Sequence, residues 1–140
     1  MLVIGIGNEF RSDDAAGIEA ARRIQERAPA IRVSWGEPMD LLELLGSDAE
    51  TIVIDAVVGG GEPGTIHRID VDNNPFPAYL RASSHNLDIA DVIELARVLG
   101  RLPGGLRVYG IEAGTVAAGT EMTRAVSEAI ETVVAEVCRA

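Results

Sequence analysis

The chain is short of several things, and each shortage removes a class of protein. Its one cysteine, Cys138, stands close to the end of the sequence. Neither a disulfide framework nor a Cys-based zinc knuckle can be built from it, and a reducing cytoplasm fits. Positive charge is scarce: 12 Lys and Arg face 22 Asp and Glu, a formal net charge of -10. Phosphate backbones are bound by clustered cations that displace counterions, so nucleic acid is excluded as a partner and a basic protein surface is the natural complement. No apolar run approaches the roughly 18 residues of a membrane span. The opening MLVIGIGN lacks the basic stretch of a secretory leader, so the chain is expected to be cytoplasmic and not membrane-associated. Aromatic residues make up only 4% of the chain while apolar residues make up 47%, which describes an Ala, Val, Ile and Leu interior of helices and strands. No repeat or low-complexity segment is present. The 140 residues fit one domain, 1–140, expected to act as a monomer.

What is present alternates between strand and helix. Leu2 to Ile6 is an apolar run broken by glycine, and Ile18, Ala21, Arg22 and Ile24 follow at helical spacing. Ile31 to Trp35 alternates as a strand, and Pro38 opens a short helix carrying Leu41, Leu42, Leu44 and Leu45. Thr51 to Val58 is apolar except for Asp55, as a central strand covered on both faces would be. The turn from Gly59 to Gly64 is too short for a crossover helix, so the strand Thr65 to Val71 is expected to run antiparallel to the one before it. An amphipathic helix from Leu87 to Leu99, a strand from Leu106 to Ile111 and a helix from Thr120 to Val137 complete the chain. The order predicts an α/β fold: a three-layer α/β/α sandwich around a mostly parallel mixed sheet, with functional groups at the carboxyl ends of strands.

Those ends carry the candidates. The first strand leads through Gly5-Ile-Gly-Asn8 to Asp13-Asp14 at a helix start. A dinucleotide fingerprint would need glycine where Phe10 stands, and no Lys-Ser/Thr pair makes a Walker loop. Adjacent carboxylates at a helix start also serve as caps, so Asp13 is expected to cap the helix while Asp14 faces a cleft. Asp55 interrupts an apolar strand, where a carboxylate needs a hydrogen-bonding or metal partner. His85, in Ser83-Ser84-His85-Asn86, stands at a helix entrance. Each of the three has an ordinary structural explanation, but a doubly wound sheet can bring all three positions to one rim. Two carboxylates and an imidazole form a mixed O/N set suited to zinc, nickel, manganese or iron, with a coordination position left open. His67, in an edge-type strand beside Arg68, is expected to face solvent.

Gly5-x-Gly-Asn8, Asp13-Asp14-x-x-Gly17, Ile54-Asp55-Ala56, Pro63-Gly64-Thr65, Ser84-His85-x-Leu87 and Ala90-Asp91 occur in this order at these spacings. The ordered set resembles the nickel-iron hydrogenase maturation endopeptidases along nearly the whole chain. The resemblance implies a five-stranded mixed sheet between helices with one antiparallel strand. It implies Asp14, Asp55 and His85 as both metal ligands and catalytic residues of an aspartic-type, metal-reading peptidase. It further implies a reaction, removal of a C-terminal extension from a hydrogenase large-subunit precursor after nickel insertion. The Ni2+ is then carried by the substrate, although another divalent ion could take its place in a crystal. Nickel or its bound water would polarise the carbonyl or supply hydroxide. No Ser-His-Asp or Cys-His pairing can be argued from the sequence.

Two segments depart from the family. Trp35-Gly36-Glu37-Pro38 replaces a D-G-G-T type turn associated with substrate choice, and Gly110-Ile111-Glu112-Ala113 lacks the proline that often follows its acidic or amide position. Two other classes compete with the protease: a non-proteolytic nickel-binding or metallochaperone module using the same three residues, and a nucleotide-binding regulator using Gly5 to Asn8.

Overall fold

Apolar runs near the start and middle of the chain become neighbouring strands because both must be covered on two faces. A computed structural model of the chain describes residues 1–8, 12–46, 50–59, 61–72, 81–82, 89–114 and 121–139. Its strands are β1 (Leu2–Ile6), β2 (Arg32–Gly36), β3 (Thr51–Val58), β4 (Ile66–Asp70), β5 (Arg81–Ala82) and β6 (Leu106–Glu112). The helices are α1 (Ala16–Arg27), α2 (Leu41–Leu44), α3 (Ile89–Val98) and α4 (Arg124–Arg139), with 3-10 turns at Ser12–Ala15 and Pro38–Asp40.

Five strands run in the order β2-β1-β3-β6-β4, and the two-residue β5 pairs the end of β3. The expected mixed sheet is thus present, with that short strand added. β1, β2, β3 and β6 are parallel, while β4 pairs antiparallel to β6 with Ile66 opposite Ile111 and His67 opposite Gly110. β4 therefore has the expected direction, but its partner is β6 rather than the strand that precedes it. The turn after β3 is held against the end of β6: Gly64 N donates to the Glu112 carbonyl at 2.9 Å and Glu112 N donates to the Thr65 carbonyl at 2.9 Å. Those bonds set the chain down on the far side of β6.

Strand alternation divides the interior into two layers. Ile4, Ile6, Val53, Val57 and Val108 pack with α2 and α3 through Leu41, Ile89, Val92 and Ile93. Val3, Ile52, Ile54, Ala56 and Ile111 pack with α1 and α4 through Ala20, Ile24, Ile130 and Val133. Asp55 falls between Val53 and Val57 in the alternation, which assigns it to the α3 face.

Charge ties the outer layer together. Arg27 Nη2 lies 2.7 Å from Glu131 and Arg23 Nε lies 2.9 Å from Glu19. Arg27 and Arg23 together hold the Glu131 carboxyl below its ordinary range. Arg68 grips both Glu136 oxygens, at 2.7 and 3.1 Å, joining the edge strand β4 to α4 and lowering the Glu136 carboxyl.

Candidate functional site at the carboxyl rim

The 3-10 turn after β1 is built to hold one carboxylate still. Ser12 has φ 51, a left-handed conformation that is uncommon for a residue with a side chain. Its hydroxyl donates to the Glu121 carbonyl at 2.9 Å, on the approach to α4. Asp13 is fully buried and accepts three hydrogen bonds, from Gly114 N at 2.6 Å, Thr123 N at 2.7 Å and Thr123 Oγ1 at 2.9 Å. Asp13 does not cap α1, whose N-cap is Ala15 with no side-chain bond. It instead bolts the turn to the residues just before α4. Asp13 lies within a 3-10 segment ahead of α1, and its carboxylate is turned to the N-H groups of Thr123 and Gly114.

Asp14, the next carboxylate along, is also fully buried. Its carbonyl accepts from Asn8 N at 3.1 Å, which closes the loop out of β1 onto the turn. Gly17 then brings α1 against the sheet. A Cβ on Gly17 would overlap the carbonyl oxygens of Ile6 and Ile54, so only glycine permits the approach. Ile54 immediately precedes Asp55, and β3 is in contact with the 3-10 turn. The turn carrying Asp14 and the strand carrying Asp55 are thus brought together at the carboxyl rim, and both side chains are excluded from water.

His85 lies outside the described residues, as do the cap-type residues around it. Helix α3, which His85 precedes in sequence, covers the same face to which Asp55 belongs. Among the described residues no three His, Cys, Asp or Glu side chains gather as a metal site. The expected set needs His85.

A cleft of about 330 Å³ opens beside this rim, lined by Gly7, Asn8, Ile18, Trp35, Gly36, Glu37 and Asp40. The Trp35-Gly36-Glu37 segment that departs from the family pattern forms one wall, with the Arg22 guanidinium 5.6 Å from the Trp35 ring centroid. Glu37 and Asp40 form a capping box, Glu37 N donating to Asp40 Oδ2 at 2.9 Å.

One expectation is overturned on the far side of β3. His67 does not simply face solvent: its ring is 23% exposed, and Nε2 lies 2.8 Å from Oε1 of Glu112, which is 2% exposed. The residue opposite His67 is Gly110, where a Cβ would lie 3.7 Å from the His67 Cβ. Sequence reasoning did not single out Glu112 as a site residue, although the signal that marks Asp55, a carboxylate ending an apolar strand, applies to it equally.

The fold and the rim define a doubly wound α/β protein with buried carboxylates at the carboxyl side of its parallel strands. Comparison with known proteins makes the family explicit. Residues 36–140 match the HycI family, described as hydrogenase maturation protease, and the chain belongs to that family. It is 32% identical over 120 residues to the hydrogenase expression/formation protein HupD of Rhodobacter capsulatus, the match taking in 80% of this chain and 56% of that protein. It is 30% identical over 119 residues to the hydrogenase 2 maturation protease of Escherichia coli, with 79% and 71% covered. The chain spans only a little over half the length of the HupD proteins of R. capsulatus and Thiocapsa roseopersicina, 56% and 53%. Among solved structures, the E. coli hydrogenase maturating endopeptidase HybD superposes with a TM-score of 0.78 at 26% identity, over 97% of this chain and 88% of that one. Among the described residues, no helix is long and apolar enough to cross a membrane.

Proposed function

We propose that this chain is a metal-dependent endopeptidase that removes the C-terminal extension of a nickel-loaded NiFe-hydrogenase large-subunit precursor. Asp14, Asp55 and His85 read the metal, and the protein works as a monomer in the cytoplasm. The observation that carries the proposal is the pair of fully buried carboxylates, Asp14 and Asp55, on segments packed together at the carboxyl rim. With an imidazole added, they make an O/N donor set that suits nickel and leaves positions open for the substrate's own ligands and peptide. Nickel arrives as part of the substrate, and its Lewis acidity polarises the scissile carbonyl.

The chain's residues divide the remaining work. Ser12 and Asp13 lock the turn, so Asp14 enters the site pre-positioned and little ordering is needed when the precursor docks. Asp55 is fixed by the central strand, which is hydrogen-bonded on both sides. The Ser12 hydroxyl is committed to the Glu121 carbonyl and Cys138 packs in the α1/α4 layer, so neither is offered as a nucleophile at the rim. The test is incubation of purified precursor, nickel-loaded and nickel-free, with mass spectrometry of the products. Loss of the C-terminal peptide from the loaded form alone supports the proposal. Nickel binding with no cleavage would convert the chain into a metallochaperone, and cleavage indifferent to nickel would remove the metal-reading role.

A further inference from the structure

Glu112 is the third fully sequestered carboxylate at the rim that does not serve the Ser12-Asp13 lock, and the function above does not use it. It ends β6, opposite Val57, two positions past the rung on which Asp55, Gly110 and His67 lie in register across three strands. Its Oε1 accepts from Gly59 N at 3.0 Å and its Oε2 from the same N-H at 3.1 Å, so it grips the first residue after β3. Oε1 also lies 2.8 Å from His67 Nε2. A Cβ on Gly110 would sit 3.1 Å from a Val57 methyl and 3.7 Å from the His67 Cβ, so the glycine is what lets Val57 close over the rung.

A carboxylate offers only acceptors, so the ring nitrogen facing Glu112 must carry a proton. The neutral imidazole is then held as the Nε2-H tautomer, with its lone pair at Nδ1. A base whose tautomer and orientation are fixed by a buried carboxylate is the arrangement by which hydrolases ready a histidine, and it is recognised by roles rather than by sequence position. By strand alternation His67 shares the α3 face with Asp55, and its ring is partly open to water.

We propose that Glu112 is a positioning residue for the cleavage site, acting through His67, whose imidazole it holds in the Nε2-H form beside the rung that bears Asp55. This rests on the protease reading above. The two residues form one functional unit, additional to Asp14, Asp55 and His85.

The experiment compares wild type, Glu112→Gln, His67→Gln and the double variant. In Glu112→Gln a charged oxygen pair becomes one neutral amide oxygen, shared between Gly59 N and His67 Nε2, and one NH2, so the acceptor that holds the Nε2 proton is weakened. Histidine side-chain nitrogen-15 NMR should show the proton on Nε2 in the wild type and a shift of the tautomer population toward Nδ1-H in Glu112→Gln. With nickel-loaded precursor, each single variant should lose kcat on the order of 100-fold with KM unchanged, the scale of a misplaced catalytic group. The double variant should be no worse than either single one, because members of a unit are not additive. His67→Gln leaves the grip on Gly59 intact, so it carries the test even if Glu112→Gln folds poorly. Wild-type cleavage with undiminished kcat in either variant, or losses that simply add, overturns the inference and leaves the protease reading standing. A wild type that cleaves nothing counts against the protease reading, and the nitrogen spectra then still decide whether Glu112 sets the tautomer.

Discussion

Two neighbouring aspartates of the same chemistry are expected to do different jobs, and mutation should separate them. Asp13→Ala strands the buried N-H groups of Gly114 and Thr123 and frees the turn from α4. With hydrogen bonds to a charged group each worth about 1.5–3 kcal/mol, a loss of roughly 3 kcal/mol or more is expected, read as a lower denaturant midpoint. Asp14→Asn keeps the shape and removes the charge; it should cost less stability than Asp13→Ala while abolishing precursor cleavage in the mass-spectrometric assay. The reverse pattern would exchange the two roles. The sequence marks both residues as a helix-start pair but cannot divide the work between them, because the partners that decide it, Gly114 and Thr123, are 101 and 110 positions away. His67 is hidden for the same reason: its surroundings are fixed by Gly110 and Glu112 on another strand. Asp55 is legible because its anomaly is local, a charge inside an apolar run.

Most of the elements are legible from apolar patterning alone, since β1, β3 and β6 are nearly continuous buried runs and the buried residues of α1 and α4 recur at helical spacing. What periodicity cannot supply is pairing. β4 lands on β6 because backbone bonds to Glu112 and Thr65 direct it there, and β5 at two residues has no repeat to read. The packing of α1 on the sheet depends on one small residue. Gly17→Ala should cost about 3 kcal/mol or prevent folding, because the overlapped atoms are backbone carbonyls of β1 and β3 that cannot swing aside. Chemical denaturation reads the cost, and a variant as stable as the wild type would refute the close approach. The joint between β4 and α4 has a pH signature. Hydrogen bonding to Arg68 depresses the folded-state pKa of Glu136, so its contribution is present above the unfolded carboxyl value, about 4.3, and is lost as pH falls through the folded value. Wild type should therefore lose stability on acidification more steeply than Glu136→Gln, as thermal unfolding between neutral and acidic pH would show; equal slopes would mean the bridge is inert. At the alkaline end the buried Tyr109 hydroxyl has the opposite sign, its pKa raised by burial and its contribution lost as pH rises.

Across the whole molecule the surplus of negative charge is expected to steer a basic partner surface towards the chain. A chain of net charge -10 attracts a basic docking surface at distances beyond contact, and salt shortens that reach to a Debye length of about 10 Å at 0.1 M. Cleavage measured as kcat/KM should fall by roughly tenfold or more between low and high ionic strength, with kcat little changed; indifference to salt would mean that charge does not steer the encounter. In the proposed site two carboxylates and one imidazole read the metal, and His85 is the member whose loss separates metal reading from structural support. The most direct measurement pairs thermal unfolding with cleavage of nickel-loaded precursor for wild type and His85→Ala. The account predicts a variant that stays folded, losing no more than about 1 kcal/mol if only a contact at a helix start disappears, and that no longer trims the precursor. A folded variant that trims the loaded precursor at the normal rate would contradict it.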